Sequence, residues 1–179
     1  PRLPDGPYVV FAHHIAMLHA LRWCIGALGL NSIYIDGSVS KAKRNKMVSK
    51  FQDPEQNVQV ALLSIGACNS GINLFRAHQV VFTELVFDGC QILQAKDRVH
   101  RIGQQKPVQI WFMTVDQSAD DILWRAVLKH ISVMSKIIDL QVNPAVHARL
   151  KVKHLDGCNP DVDQMATALS VAWRGSQAT

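Results

Sequence analysis

The sequence predicts an α/β fold, a three-layer sandwich built around a mainly parallel central sheet. Short apolar runs alternate with longer segments of helical periodicity. Alternation at this pitch indicates βαβ units, whose strands lie parallel in one sheet. The run at 58–64 is almost continuously apolar, which is typical of a strand covered on both faces.

Each element is justified by its local pattern. The predicted strands are short apolar runs, at 8–12, 33–35, 58–64, 80–82 and 108–115. The predicted helices carry apolar residues at helical spacing, at 14–28, 41–51, 89–101 and 119–138. Beyond residue 140 the pattern weakens, although 161–173 has the composition of one more helix.

Residues with N-cap chemistry precede three of the predicted helices. Ser40 ends the turn 36–40 before the second helix. Asp88 precedes the third, with Gln91 placed three residues on as the reciprocal partner of a capping box. Residues 118–121 form a capping box before the fourth helix.

Composition sets broad limits on function. The chain has 179 residues, 48% of them hydrophobic and 18% charged, which indicates about one globular domain. The net charge of +5 permits an anionic partner without identifying one. A run of 18 apolar residues is absent from the sequence, so no membrane span is predicted. The chain begins at Pro1 rather than Met, and we expect it to be a piece of a longer polypeptide.

The cysteines do not predict a metal site. The sequence contains no C-x-x-C pair, so we expect neither a zinc site nor a redox pair. We interpret the thiols as buried and reduced in an intracellular protein. They are Cys24, Cys68, Cys90 and Cys158.

The stretch from 94 to 104 is the most informative part of the chain. Gln94, Arg98 and Arg101 stand at i, i+4 and i+7, so on a helix they project from one face. Two fixed guanidinium groups suit the charge that builds on a transferring γ-phosphoryl group. The alternative interpretation is a solvated amphipathic helix.

Two further residues support a helix over this stretch. Asp97 stands four residues before Arg101 and can form an ion pair with it. Gly103 stands where the end of a helix needs a left-handed cap. The predicted helix therefore continues through Arg101.

Two loops are candidates for ligand binding, because ligands collect beyond the carboxyl ends of parallel strands. The turn 36–40 leads into a helix N-terminus, where free N–H groups can bind an anion. An ordinary strand–turn–helix connection is the alternative there. In the loop 64–74, Gly66 and Gly71 allow the backbone to approach a ligand closely.

Basic residues and a histidine pair have both ordinary and functional interpretations. Lys43, Lys46 and Lys50 share one face of the second helix, and either a solvated surface or phosphate contact explains them. His13 and His14 follow the first strand without a carboxylate or cysteine at metal-ligand spacing. We expect them to pack or to cap a helix, and we predict no metal site.

Taken together, residues 8–139 resemble the second RecA-like lobe of the Swi/Snf-type ATPases, the engines of chromatin remodellers and annealing helicases. The matching segments occur in the order of the family, at 9–14, 35–44, 64–82, 94–104 and 120–129. The segments 83–85 and 120–124 are most similar to the annealing-helicase branch. We therefore expect a lobe at 1–139 and a C-terminal extension of unknown role at 140–179.

The resemblance implies a role in ATP hydrolysis for the arginine stretch. Arg98 and Arg101 would act as arginine fingers toward ATP and Mg²⁺ held mainly on a first lobe. Gln94 would position them or contact the nucleotide. Gly71 would lie beside the phosphates, and Asn73 near the ribose.

The resemblance also implies DNA contact. Ser38, Ser40 and Ser64 would touch the phosphate backbone of a DNA strand. His13 and Lys43 complete the set of candidate DNA-binding residues.

Two departures from the family pattern bear on coupling. The family usually has Trp-Asn-Pro where Phe-Asp-Gly stands at 87–89, and Asn69 and Ser70 alter the loop ahead of Gly71. The sequence also lacks a G-x-x-x-x-G-K-[ST] loop to hold phosphates. We expect hydrolysis to need a first lobe in the same polypeptide, and this piece alone to be inactive.

The main hypothesis is the second motor lobe of a nuclear ATP-dependent DNA translocase that acts in DNA annealing or chromatin remodelling. Its expected partners are double-stranded or forked DNA, the first lobe, and nucleosomes or replication-fork proteins, with no membrane. The alternative is a non-hydrolysing DNA- or protein-binding module. A strand-separating helicase and an unrelated mononucleotide-binding domain rank below these.

Overall fold

The computed structural model describes residues 6–100, 104, 106–115 and 117–139, with side chains outside the description at 68–70, 132 and 134–139. The strands are β1 (Tyr8–Ala12), β2 (Ser32–Ile35), β3 (Val60–Ser64), β4 (Gln79–Phe82) and β5 (Gln109–Phe112). The α-helices are α1 (Ile15–Ala27), α2 (Lys41–Gln52), α3 (Gly89–Val99) and α4 (Ala119–Asp139). Short 3₁₀ helices lie at Pro54–Gln56 and Ile65–Ser70.

The strands form one sheet in the order β2-β3-β1-β4-β5, and every pairing is parallel. In the central register Val10 lies between Leu62 of β3 and Val81 of β4. The chain moves outward from β1 to β2, returns to β3, and then crosses to β4 on the other side. The direction therefore reverses beside β1, where open α/β sheets place their ligand sites.

The larger core lies between the sheet and the helices α2, α3 and α4. Alternate strand residues such as Val9, Leu63 and Val80 face these helices and are fully or almost fully buried. The ring centroids of Phe11 and Phe82 are 5.2 Å apart, and those of Phe82 and Phe112 are 5.0 Å apart. Trp124 of α4 continues this stack at 4.8 Å from Phe112.

The opposite face of the sheet is covered, within the described residues, by α1. Leu18 and Ile25 of this helix pack on Ala12, Val60 and Leu62. The molecule is thus a three-layer sandwich with an entirely parallel sheet, which confirms the predicted fold class.

Large apolar rings are expected to pack in the core, as we predict from the sequence for Trp23, Trp111 and Trp124, and this prediction is wrong for Trp23. Trp23 is 75% exposed, whereas Trp124 is 6% exposed and Trp111 is half-buried. The position of Trp23 around the axis of α1 explains its exposure. Trp23 stands two residues before Ile25, about 200° around the helix, so it points away when Ile25 packs on the sheet.

The prediction of buried cysteines is also wrong where the structure describes them. Cys24 follows Trp23 on the outer side of α1 and is exposed, and Cys90 is half-buried. Cys158 and the side chain of Cys68 lie outside the description. So do the predicted helix at 161–173 and the extension 140–179.

Within the described residues the predicted strands and helices are all present, but several are shorter than predicted. The fifth strand ends at Phe112, and α3 ends at Val99 because His100 has an extended backbone with ψ 92°. Among the described helices, none combines the length and apolar character needed to cross a membrane.

Candidate functional site

One polar face of α3 lines an open cleft of about 440 Å³. Asp88, Gln91, Gln94 and Arg98 line it, at successive spacings of three, three and four residues. The opposite face packs into the core through Gly89, Ile92, Ala95, Lys96 and Val99. Because that face is fixed by packing, the polar side chains are held outward along one line, as predicted for Gln94 and Arg98.

Arg98 is connected directly to the loop predicted to bind nucleotide. Its main-chain carbonyl accepts a hydrogen bond of 2.7 Å from the N–H of Leu74. Gly71 begins this segment in the left-handed conformation, with φ 68° and ψ 24°. The carbonyl of Asn73 accepts a hydrogen bond of 2.8 Å from Nε2 of Gln52, which ties the loop to α2. The fold therefore brings Arg98 beside the segment that contains Gly71 and Asn73.

The other predicted arginine finger, Arg101, lies outside the described residues, as does Gly103. Helix α3 ends at Val99, so helical spacing places Gln94 and Arg98 on one face of it. The same argument does not apply to Arg101, which follows the end of the helix in the chain. Asp97, the predicted partner of Arg101, forms an ion pair with Lys96 at 3.2 Å. Lys96 is only 4% exposed, a burial that the sequence pattern did not indicate.

The N-terminus of α3 is capped as predicted. Oδ1 of Asp88 accepts a hydrogen bond of 2.9 Å from the N–H of Cys90. Gln91 bonds to Asp88, but not in the way that the predicted capping box requires. In a capping box its side chain would accept from the backbone N–H of Asp88, whereas here its Nε2 donates to Oδ2 of Asp88 at 3.4 Å. Burial, and then the neighbouring Asp88 carboxylate, raise the pKa of the Cys90 thiol.

Helix α4 packs closely on this N-terminus. Nδ1 of His130 accepts a hydrogen bond of 3.2 Å from the N–H of Gly89. A Cβ added to Gly89 would lie 2.8 Å from Cγ1 of Ile131. Gly89 therefore permits a close approach between α3 and α4 that a larger residue would obstruct.

The start of α4 differs from the predicted capping box. Oγ of Ser118 accepts a hydrogen bond of 3.1 Å from the N–H of Asp120, as an N-cap does. The carboxylate that reaches back belongs to Asp120, which accepts a hydrogen bond from the N–H of Val115 at 3.0 Å.

Three of the predicted DNA-binding residues lie together at the N-terminus of α2. Ser40 caps this helix as predicted, and its Oγ accepts a hydrogen bond of 3.5 Å from the N–H of Lys43. The Ser38 hydroxyl donates to Oδ1 of Asp36 at 2.6 Å, and the Ser38 N–H donates to the same oxygen at 2.9 Å. These bonds, the one from the hydroxyl foremost, lower the pKa of Asp36. The side chains of Ser38, Ser40 and Lys43 are exposed.

The other two predicted DNA-binding residues have different surroundings. Ser64 is 7% exposed, and its Oγ accepts a hydrogen bond of 3.3 Å from the N–H of Ala67. Little of its hydroxyl is therefore accessible to a phosphate. His13 is exposed at the end of β1.

Glu84 is a structural link that the sequence pattern did not identify. Its Oε2 accepts hydrogen bonds from the N–H groups of His13 and His14, at 2.7 and 3.0 Å. Its Oε1 lies 2.6 Å from Nδ1 of His14, the N-cap position of α1. Burial alone raises the pKa of Glu84, but the hydrogen bonds from His14 and His13 outweigh it, so the pKa is lowered.

The prediction that the histidine pair packs or caps a helix is wrong, because both side chains are exposed and that of His14 makes no cap hydrogen bond. Glu84 instead bonds the N–H groups of both histidines just before α1. It also joins the loops after β1 and β4, at the point where the strand order reverses. These residues are 70 and 71 positions apart in the chain, so no local spacing could have indicated the contact.

This arrangement of an all-parallel sheet and a polar helix face agrees with the comparison to known families. Residues 2–103 match the helicase conserved C-terminal domain, and the chain belongs to that family. Among its relatives are SWI/SNF-related helicase-like proteins, which confirms the resemblance noted in the sequence.

Two relatives illustrate the similarity. The chain is 39% identical over 130 residues to the SWI/SNF-related matrix-associated actin-dependent regulator of chromatin subfamily A-like protein 1 of Drosophila melanogaster, covering 73% of this chain and 17% of that protein. It is 42% identical over 118 residues to the human DNA annealing helicase and endonuclease ZRANB3, covering 65% of this chain and 11% of that protein.

A solved structure supports the fold assignment. The C-terminal part of the Fun30 ATPase domain matches 68% of this chain with a TM-score of 0.66 and 26% sequence identity, over 39% of that structure. The chain spans a fifth or less of the length of the relatives named above.

Proposed function

We propose that this chain is the second motor lobe of an ATP-dependent DNA translocase. The observation that carries the proposal is the polar face of α3, where Gln94 and Arg98 line a cleft, and where the main chain of Arg98 is bonded to the segment that contains Gly71 and Asn73. A guanidinium and an amide on a rigid helix suit the oxygens of a triphosphate. Arg98 serves as an arginine finger, and Arg101 remains a predicted second finger.

ATP and Mg²⁺ belong mainly to the first lobe in this proposal. The cleft supplies the Arg98 cation and the amides of Gln91 and Gln94 to the phosphates, with the Asp88 carboxylate ten residues before Arg98 on the same lining. Magnesium, when bound, neutralises the charge on the β- and γ-phosphates. The chain alone is therefore inactive, and hydrolysis requires closure of the two lobes around the nucleotide.

DNA is held through its phosphates at the N-terminus of α2. Ser38, Ser40 and Lys43 place two hydroxyls and an ammonium together at the positive end of a helix. Such contact is insensitive to sequence and weakens with salt. The names of the chromatin-regulator and annealing-helicase relatives support the further proposal that the protein acts in the nucleus. Its proposed partners there are duplex or forked DNA and nucleosomes or replication-fork proteins.

The decisive experiment is Arg98→Ala in the full-length protein. Loss of an arginine finger lowers turnover by about 10³ to 10⁵-fold in phosphoryl-transfer enzymes, and we expect a loss of this order in DNA-stimulated ATPase activity. Arg101→Ala should have a similar effect. Arg98→Lys tests whether the planar fork is needed beyond its charge.

Arg22→Ala is the matched control, since Arg22 is an exposed arginine on α1, across the sheet. It should retain wild-type turnover. Wild-type turnover in Arg98→Ala would overturn the assignment.

Lys43→Ala tests the DNA surface. Removal of one phosphate contact should reduce the slope of log affinity against log salt by about 1 for any DNA sequence. Lys106→Ala removes an exposed lysine elsewhere and is the control. An unchanged slope in Lys43→Ala would remove Lys43 from the interface.

A binding module without hydrolysis is the second candidate. The segment Phe87, Asp88 and Gly89 favours it, because the family usually has Trp-Asn-Pro there, and Phe87 is exposed. In that case the full-length protein would bind DNA with the same salt dependence but show no DNA-stimulated ATPase activity.

A further inference from the structure

Three side chains with metal-ligand chemistry meet where α3 begins against α4. They are Asp88, Cys90 and His130, and their candidate ligand atoms all lie within 4.8 Å of one another. Nδ1 of His130 is 4.0 Å from Oδ1 of Asp88. All three residues are half-buried, so the cluster is partly shielded yet reachable from solvent.

This donor set is suited to a borderline transition metal. A thiolate, an imidazole and a carboxylate are the three ligand types that zinc takes from proteins. Around a tetrahedral zinc ion, neighbouring ligand atoms lie about 3.3 to 3.8 Å apart, given bond lengths of about 2.0 to 2.3 Å. The separations in this cluster exceed that range by about 1 Å at most, which modest side-chain rotation can close.

The existing contacts of the cluster are compatible with a metal. Oδ1 of Asp88 accepts from the N–H of Cys90, and Oδ2 accepts from Nε2 of Gln91, so each oxygen keeps a second lone pair. The Cys90 thiol lies within 4.8 Å of a carboxylate oxygen of Asp88, and a metal bound between them would take the place of the thiol proton. Ligation by Nδ1 of His130 would also displace the hydrogen bond that this nitrogen accepts from the Gly89 N–H.

We propose that Asp88, Cys90 and His130 form a three-ligand site for a divalent cation of the zinc class, with water completing the coordination. The cation would join the first turn of α3 to α4. Since Asp88 also lines the cleft beside Arg98, occupancy would fix one wall of that cleft. The site does not depend on the proposed motor function.

The sequence prediction of no metal site relied on C-x-x-C spacing, which cannot detect this arrangement. Asp88 and Cys90 are two residues apart, but His130 comes from another helix, 40 residues after Cys90. Only the packing of α4 on α3 brings the imidazole to them.

Cobalt(II) alone is the probe, titrated into the reduced 179-residue chain. A thiolate–cobalt bond gives charge-transfer absorption in the near ultraviolet, and we expect this band to saturate at one cobalt per chain. Cys90→Ser and His130→Gln should each lose at least tenfold in cobalt affinity, and Cys90→Ser should also lose the band. His130→Gln retains an acceptor for the Gly89 N–H, and Asp88→Asn retains a good N-cap, so both test ligation without removing the local structure.

The other cysteines are the controls. Cys24→Ser, Cys68→Ser and Cys158→Ser should retain the band at wild-type affinity. Zinc should raise the midpoint of thermal unfolding of the wild type but not of Cys90→Ser, because a ligand stabilises the state that binds it.

Three outcomes would overturn the site. These are no charge-transfer band in the wild type, a band that persists in Cys90→Ser, or a band that disappears in Cys158→Ser. Far-ultraviolet circular dichroism of each variant establishes that it is folded, and if Cys90→Ser fails to fold, the cobalt affinities of His130→Gln and Asp88→Asn decide the question.

Discussion

The two faces of the sheet are covered very differently. On one face, α2, α3 and α4 bury a continuous core that includes the stack from Phe11 to Trp124. On the other, α1 packs through Leu18 and Ile25, and several large apolar side chains on it remain exposed. These are Ile15, Met17, Trp23 and Leu28.

The comparison teaches where a precise site can be built. Gln94 and Arg98 lie on a helix whose opposite side is locked in the larger core, so their positions are determined by packing. Helix α1 packs on the sheet through two buried side chains, Leu18 and Ile25, and the carboxylate of Glu84 bonds the N–H groups just before its N-terminus. The effect of mutations on stability should therefore differ between the two faces of the sheet, and the five substitutions below test this difference.

The largest expected effect comes from the tryptophans. Trp124→Ala removes a buried ring whose centroid lies 4.8 Å from that of Phe112, and should lower the free energy of unfolding by about 3 to 5 kcal/mol. Trp23→Ala, on the exposed side of α1, should change it by less than about 0.5 kcal/mol. Urea denaturation of both variants gives the comparison, and similar losses would contradict the difference between the faces.

The glycines should give effects of opposite sign. In Gly89→Ala the new Cβ meets Ile131 at 2.8 Å, and overpacking should cost about 1 to 3 kcal/mol of stability. In Gly26→Ala the new Cβ meets nothing within 4 Å, and alanine in a helix should add about 0.5 to 1 kcal/mol. Thermal unfolding measures both. Stabilisation by Gly89→Ala would mean that α4 does not pack closely on α3.

The smallest expected effect concerns the link to α1. The pKa of Glu84 is lowered in the folded state, so its contribution to stability is present above the unfolded pKa of about 4.3. It is lost as pH falls through the lower folded value. Glu84→Gln should therefore cost about 1 kcal/mol near neutral pH and progressively less in acid. The free energy of unfolding of the wild type and of Glu84→Gln, measured near neutral pH and in acid, tests this. If the substitution lowers it equally at the two pH values, the charge of Glu84 is not responsible.

Local chemistry explains why much of the site could be predicted. Ser40 and Asp88 cap their helices as expected, because a cap bonds N–H groups only two or three residues away. Gln94 and Arg98 share a face because four residues make about one helical turn. The prediction failed where α3 ends at Val99, since helix ends depend on neighbouring packing as well as on sequence.

The sequence by itself determined the α/β class, the order of strands and helices along the chain and the polar face of α3, because each is encoded in periodicity or spacing within a few residues. The family was indicated by the resemblance of several motifs taken together. Tertiary structure alone decided that Trp23 lies outside and Lys96 inside, and that Glu84 bonds the N–H groups of His13 and His14. It also decided that His130 meets Asp88 and Cys90. These contacts join residues distant in the chain, and only the packing of helices on a particular face of the sheet brings them together.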